Sequence, residues 1–528
     1  MISPSPGTSD RLLLAVKGPT GAAFLIALLF LTISLITIRD YGMSWDEPAV
    51  MERGQETFEL IRGRGRMLDA ADETELGGIN SHPAFYAACD YAFSNILTYL
   101  FGWRPLVTAH LLNVLTATAG LVILYFLGRD LFNPTVGLAA ELLLALFPRF
   151  VSHAQYNSKD IPVMVFGTLS LLLLNRAAAG GKKRYWLLAG ISVAASITTK
   201  LDGLFLLPIF FLPWLVSLRW SEKPVRWGRE FFRVWVFFAA AIPAMFLFWP
   251  LLLLSPTHLF HSVSYFSRPW MNQSTRYLGR EYAQNIVPWH YLPMHLIVVT
   301  PVISLLMMIA GAILSLRALW RRECLFQHAL LWYWLLIPLA ARMLPGTIAY
   351  DGMRHVFLVV PALAIFAGIA VDHFVRWCRQ RQTSLLAPAL MACGAAAWLG
   401  WQIVESFPQQ GSYLNEATRW IVPASKRGSC FDIWGWGTIY KSGVDWLNSH
   451  APQKRSFAVV HHAPQFDKYE IRPDLELLDM EDANRADFVM VEGCHAELMT
   501  ITNAVLVHSI QSFGSDLLLI YQCPHSGQ

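Results

Sequence analysis

The chain has 528 residues, of which 55% are hydrophobic and only 15% charged, with a formal net charge of +4. Soluble domains carry roughly 25% charged residues, so the composition excludes an ordinary soluble enzyme of two or three domains. The small net charge makes no case for a nucleic-acid partner, and seven cysteines without a CxxC spacing give no sign of a zinc site.

The apolar residues fall in blocks separated by short charged segments. A hydrocarbon core of about 30 Å needs about 20 helical residues to cross it, and the blocks suit that length. They lack the period-2 alternation of a membrane barrel. Arg11 and Lys17 precede the first block, no small-residue cleavage site follows it, and it reads as a retained span rather than a signal peptide. Eleven spans are predicted, at 20–39, 104–127, 135–150, 161–176, 185–199, 203–218, 231–253, 295–316, 325–341, 355–374 and 385–404. Lys and Arg concentrate in the loops 176–184 and 219–233, around Arg317, Arg321 and Arg322, and around Arg376, Arg379 and Arg381. Positive loops face the cytoplasm, which puts the N-terminus inside and, after eleven spans, the C-terminal tail outside an inner or plasma membrane.

Three outward segments then remain, 40–103, 254–294 and 342–354. In the first, Met51, Phe58 and Ile61 share a face and are ringed by Glu52, Arg53, Glu56, Glu59 and Arg62, which predicts an amphipathic helix on the membrane surface. Residues 1–404 thus form a transmembrane domain. Residues 405–528 change character: strand-length apolar runs at 456–460, 488–492 and 517–521 and a helix over 439–448 predict a small α/β domain outside the membrane. An oxidising exterior allows a pair among Cys430, Cys494 and Cys523. Trp434, Trp436, Tyr440 and Trp446 could stack on sugars, but such a stretch is more often packing for a small domain and is read as such.

The chemistry-bearing residues gather on the outward side. Asp46 and Glu47 follow the first span beside Trp45, where a shielded carboxylate can take a proton from a hydroxyl. The bland alternative is a polar helix end stopped by Pro48. Asp160 follows the third span in Asn157-Ser158-Lys159-Asp160, and its bland reading is a salt bridge to Arg149 or Lys159. Lys159, Arg149, Lys200, Arg268, Arg276, Arg280 and Arg354 are candidate phosphate ligands through charge-assisted hydrogen bonds. His82, His355 and Asp351 are candidates for holding or positioning an acceptor. Asp202 is placed to neutralise Lys200.

The runs Trp45-Asp46-Glu47, Ser81-His82-Pro83-Ala84-Phe85-Tyr86, Phe101-Gly102-Trp103, Leu127-Gly128-Arg129-Asp130-Leu131-Phe132 and Asn157-Ser158-Lys159-Asp160-Ile161-Pro162 resemble the GT-C superfamily of membrane glycosyltransferases. The similarity is to glycosyltransferase family 39 and its relatives, the protein O-mannosyltransferases and aminoarabinose transferases. Tyr350-Asp351-Gly352-Met353-Arg354-His355 and Phe431-Asp432-Ile433-Trp434-Gly435-Trp436-Gly437 resemble late segments of bacterial members. The resemblance implies a polyprenyl-phosphate sugar donor within the bilayer, an inverting transfer to a hydroxyl of a lipid, glycan or protein, and a catalytic carboxylate at Asp46. It puts Glu47 and Asp160 on further acidic positions. The family's His-Pro-Pro departs here to His82-Pro83-Ala84. A divalent cation is compatible with the superfamily but not required by these residues. The competing reading is a transporter or flippase, for which inverted repeats are expected and none is visible.

Overall fold

The computed structural model describes residues 18–63, 82–180, 182–221, 224–267, 274–382, 384, 386–433, 435–460, 469–493, 495 and 503–524. Ser81, Arg268, Trp434 and Cys494 lie outside them.

The structure is a bundle of helices with a small mixed sheet at the C-terminal end. Prolines open many of the helices, where the missing N–H costs nothing. Helix α1 (Pro19–Thr37) is followed by α2 (Glu47–Ile61) and α3 (Phe85–Phe101). Then come α4 (Pro105–Leu131), α5 (Pro134–Ala145), α6 (Pro148–Tyr156) and α7 (Asp160–Ala178). Asn133 caps α5 by accepting from the Thr135 and Val136 amides, and α5 and α6 are bent by 69° at the break before Pro148. Helices α8 (Lys183–Thr199), α9 (Leu206–Arg219), α10 (Trp227–Phe248) and α11 (His258–Phe266) lead to a hairpin, β1 (Ser274–Tyr277) with β2 (Arg280–Ala283). The bundle closes with α12 (Tyr291–Val299), α13 (Val302–Trp320), α14 (Leu325–Met343), α15 (Val360–Gln380) and α16 (Leu386–Glu405).

Among the described residues eight helices are long and apolar enough to cross a membrane, nine if the bent pair is one span, against the eleven predicted. Helices α8 and α14 stand at predicted span positions without meeting that measure. Helix α8 has 17 residues, and Gln327, His328 and the aromatic run 332–334 lower the hydropathy of α14. The protein is a multi-pass membrane protein. Its centre is α7, 72% buried over its apolar window, and the segment Gly352–Gln380, 78% buried, whereas α13 and α16 fall to 17% and 11% and show apolar side chains outward. Such a bundle needs lipid around it.

Past residue 405, strands β3 (Arg455–Val460), β4 (Leu475–Leu477), β5 (Phe488–Glu492), β6 (Val505–Ser512) and β7 (Ser515–Gln522) form one sheet in the order β4-β3-β5-β7-β6. The β3–β4 and β3–β5 pairs are parallel, and the other two are antiparallel. Helix α17 (Tyr440–His450) lies where a helix is predicted, and Gly443 lets it approach Leu518 and Met490 of the sheet. Cys430 and Cys523 are free thiols, so the predicted pairing is not between these two.

The amphipathic helix of the first outward segment forms as α2, but its buried face is a different one. Val50, Arg53 and Gly54 are buried while Ile61 is 59% exposed. Packing against α3 chose the face, because Gly54 meets the Ala87 carbonyl so closely that an added Cβ would lie 2.3 Å from it.

The segment 435–437 runs back onto the first outward segment. Trp436 (φ 58°), Gly435 (φ 60°) and Gly437 (φ 85°) are consecutive left-handed residues. Glycine is the residue that adopts this conformation without strain. The turn lets the Trp45 amide donate to the Trp436 carbonyl at 3.1 Å and lays Gly437 against the Trp45 ring. Trp45 also meets Tyr440 edge-on, at 5.7 Å between centroids.

Candidate active site

A cavity of about 100 Å³ opens where the ends of several helices meet. Its lining includes seven of the residues singled out from the sequence: Asp46, Asp160, Lys159, Lys200, Arg354, His82 and His355. Arg53, Asp202, Arg342 and Tyr350 join them. Five cations therefore face three carboxylates across the cavity. That surplus of positive charge favours an anionic ligand.

Asp46 stands at the N-terminus of α2. A carboxylate there usually caps its own helix, but this one makes no cap bond. Its Oδ2 instead accepts from Lys159 Nζ at 2.7 Å and from Arg354 Nη1 at 3.0 Å. Burial pushes the Asp46 carboxyl up, yet Lys159 and Arg354 together outweigh it and hold the group well below the usual carboxylate range. The expectation that shielding alone makes Asp46 more basic is thus reversed as long as both cations stay in place.

Glu47 points elsewhere. Its Oε2 accepts from the Ser44 amide at 2.5 Å and its Oε1 meets His110 Nε2 at 2.8 Å. It is absent from the cavity lining and fixes the turn that presents Asp46. Burial, then the nearby Glu47 charge, raises Asp90 to about 7 beneath this turn.

Asp160 is set by its own motif. Asn157 Oδ1 accepts from the Asp160 amide and Asn157 Nδ2 donates to Asp160 Oδ2, both at 2.9 Å. The salt bridge to Arg149 or Lys159, the alternative reading, does not form. Asp160 Oδ1 takes Lys200 Nζ at 2.5 Å, and Lys200 also reaches Asp202 at 2.9 Å. Arg342 holds the other Asp202 oxygen at 2.5 Å. Burial alone would lower Lys200, but Asp160 and Asp202 more than offset it and keep the ammonium charged. Arg149 lies outside the lining and donates through Nε to the Tyr413 carbonyl at 3.2 Å.

Arg354 is delivered by a tight reversal, Asp351 at φ 50° and Gly352 at φ 64°. Gly352 N donates to Tyr291 Oη at 2.8 Å, and Tyr291 in turn donates to Asp432 at 2.7 Å. The two late motifs of the sequence are thus joined here. Arg354 bridges to Asp351 at 3.1 Å and lies over the rings of Trp436 and Tyr350, at 4.5 and 4.8 Å. Asp351 sits behind Arg354, outside the lining, and burial raises it to about 6 although Arg354 opposes the shift. His82 packs on Phe266 at 4.4 Å between centroids, and burial together with Arg53 keeps it neutral, well below the ordinary histidine value. His355 meets Tyr350 edge-on at 4.7 Å. Arg276 and Arg280 belong to the hairpin and do not line the cavity.

Among the described residues no three His, Cys, Asp or Glu side chains converge as a metal ion would need. The cavity carboxylates are each engaged by Lys or Arg. That donor set suits an anion rather than a cation.

Burial lowers Lys159 to about 8, partly offset by Asp46. The ammonium is charged below that value and neutral above it. Anion affinity is therefore expected to begin falling as pH rises through about 8, and Lys159→Arg is expected to remove that fall. Binding titrations between pH 7 and 9.5 check it. A parallel pH dependence in both proteins would detach the effect from Lys159.

Asp202 had been placed to neutralise Lys200, and it does so at 2.9 Å. Arg342, which the sequence did not single out, had only its place in an outward segment to mark it. Arg53 had been counted with the polar face of α2.

The family described as dolichyl-phosphate-mannose-protein mannosyltransferase matches residues 88–253. Over 250 residues the chain is 26% identical to the undecaprenyl phosphate-alpha-4-amino-4-deoxy-L-arabinose arabinosyl transferase of Pseudomonas aeruginosa, a match covering 46% of this chain and 41% of that protein. In three dimensions it is similar to ArnT from Cupriavidus metallidurans bound to undecaprenyl phosphate, with a TM-score of 0.52 at 14% identity over 96% of this chain and 99% of that one. It is also similar to the archaeal oligosaccharyltransferase AglB from Archaeoglobus fulgidus in complex with an inhibitory peptide and a dolichol-phosphate, with a TM-score of 0.52 at 11% identity over 90% and 69% of the two chains. The resemblance to the GT-C superfamily read from the sequence is borne out, and the fold is that of a GT-C membrane glycosyltransferase.

Proposed function

We propose, with the GT-C fold as premise, that this chain transfers a sugar from a polyprenyl-phosphate donor to a hydroxyl of a lipid, glycan or protein, with inversion, on the outer face of the membrane. The observation that carries the reading is one carboxylate, Asp46, held by two cations inside a cavity with surplus positive charge. The donor's leaving group is a phosphate, stable as an anion, so the site needs cations and no general acid.

The geometry suggests how donor binding arms the base. A phosphate entering the cavity competes for Lys159 and Arg354, and each hydrogen bond it takes from Asp46 returns basicity to that carboxylate. Asp46 then accepts the proton of the acceptor hydroxyl. The oxygen attacks the anomeric carbon from the face opposite the phosphate, the bond to the phosphate oxygen breaks, and polyprenyl phosphate leaves with its charge held by Arg354, Lys159 and their neighbours. Glu47 holds the turn that carries Asp46. Asp160 positions Lys200, and His82 and His355 face the space left for sugar or acceptor.

The relatives named as arabinosyl transferases support a transferase over a transporter or flippase. Purified protein in detergent or vesicles, given a polyprenyl phosphate carrying labelled sugar, should release polyprenyl phosphate and label an acceptor. Movement of intact donor across the vesicle without loss of sugar would favour the flippase instead.

The topology is part of the proposal: eleven spans, N-terminus inside, residues 405–528 outside. A periplasmic-type reporter fused after Gln528 should be active only outside the cytoplasm. Cytoplasmic activity of that fusion would make the span count even.

A further inference from the structure

Four of the five cations lining the cavity already hold carboxylates. Lys159 and Arg354 hold Asp46, Lys200 holds Asp160 and Asp202, and Arg342 holds Asp202. Arg53 stands apart. It is 5% exposed, it lines the cavity, and among the described residues it makes no ion pair and its Nε has no hydrogen-bond partner. A buried guanidinium without a partner is costly, and a protein keeps one where something else supplies the anion.

The backbone holds this side chain in place. Arg53 follows Asp46 by seven residues, two turns along α2, so both project from the same face. Gly54, the next residue, presses α2 against the Ala87 carbonyl, and Ala87 lies on α3. That close approach fixes the roll of α2, so Arg53 cannot turn outward without parting the two helices. Burial draws the guanidinium down to about 10, although the charges of Asp46, Glu56 and Glu52 oppose the shift without an ion pair, and it stays charged at neutral pH.

We infer that Arg53 is the free phosphate ligand of this cavity, the residue whose guanidinium receives the phosphate oxygens before Lys159 and Arg354 let go of Asp46. The inference deepens the proposed reading and rests on it for the identity of the phosphate as that of a polyprenyl donor. The planar fork of an arginine suits two oxygens of one phosphate, which a lysine cannot match. The same chemistry would take a phosphate on a water-borne molecule, so the test separates the two sources.

Full-length protein in detergent, wild type and the variants Arg53→Gln and Arg53→Lys, is titrated with undecaprenyl phosphate and separately with inorganic phosphate, following binding and melting temperature. Without ligand, Arg53→Gln should melt no lower than wild type, because an unpaired buried charge has been removed. With undecaprenyl phosphate it should bind about tenfold to a hundredfold more weakly, in line with loss of a bidentate charged contact. Arg53→Lys should fall between. Binding by Arg53→Gln within twofold of wild type, or a clear drop in its ligand-free melting temperature, overturns the inference and leaves the transferase reading standing. Arg53-dependent binding of inorganic phosphate with no binding of undecaprenyl phosphate supports the ligand role and overturns the donor reading. Binding of neither overturns both. If Arg53→Gln cannot be purified in amounts that allow these measurements, Arg53→Lys decides, since unchanged affinity in that variant is incompatible with a forked contact.

Discussion

Asp46→Asn is expected to lower turnover by about 10² to 10⁴, the usual contribution of a general base, while the protein still folds and binds donor. The substitution keeps size and polarity, and asparagine still offers an oxygen to Lys159 or Arg354, so the cavity should hold its shape. What disappears is the oxygen that can keep a proton. Glu47→Gln is expected to cost less, because Glu47 acts on the Ser44 amide and His110 rather than on the cavity. Asp160→Asn should fall between the two, through a weakened hold on Lys200. Single-turnover assays with saturating labelled donor measure all three. Near-full turnover of Asp46→Asn with loss in Glu47→Gln would move the base to Glu47 and contradict the geometry. Indifference to every one of these changes would sink the transferase reading.

Arg354→Gln is expected to raise the donor concentration needed for half-maximal rate by about thirtyfold or more, the scale set by about 2 kcal/mol or more for truncating one partner of a buried charge pair. The loss has two sources. One is the direct contact to the donor phosphate. The other is packing, because Arg354 fills the space between Trp436 and Tyr350 while bonding Asp46 and Asp351. Arg379→Ala, at the far end of α15, should leave the donor requirement unchanged. Equal effects of the two substitutions would take Arg354 out of the phosphate site. A fall in maximal rate with no change in donor requirement would assign Arg354 to holding Asp46 alone.

Much of the site was visible in the chain because its residues sit in short polar runs at the ends of long apolar ones. Asp46, Lys159, Asp160, Lys200 and Arg354 each interrupt or border an apolar block, where a charge is costly unless it serves a partner or a ligand. Local sequence also shows why Asp160 is held, since Asn157 lies three residues before it and serves its amide and its carboxylate. Pairing was another matter. The nearby candidates for Asp160 were Arg149 and Lys159, yet Lys200, 40 residues on, takes it, and Lys159 crosses to Asp46.

The sequence by itself determined that this is a multi-pass membrane protein, because block length and charge distribution answer directly to the thickness of the bilayer, while the GT-C fold came from the resemblance of its motifs. It also determined the helix α17 and three of the five strands after residue 405, β3, β5 and β7, whose periods and breakers are local. Apart from Lys200 with Asp202, tertiary structure alone decided which charges neutralise one another, which leave a surplus, and that Arg53 is inside. Those outcomes depend on helix roll and on contacts between distant segments: Gly54 against Ala87, the reversal at Asp351 and Gly352, and the left-handed turn that brings Trp436 onto Arg354. An arginine on an amphipathic helix reads as solvent-facing until a neighbouring helix covers it, and no local pattern announces that covering.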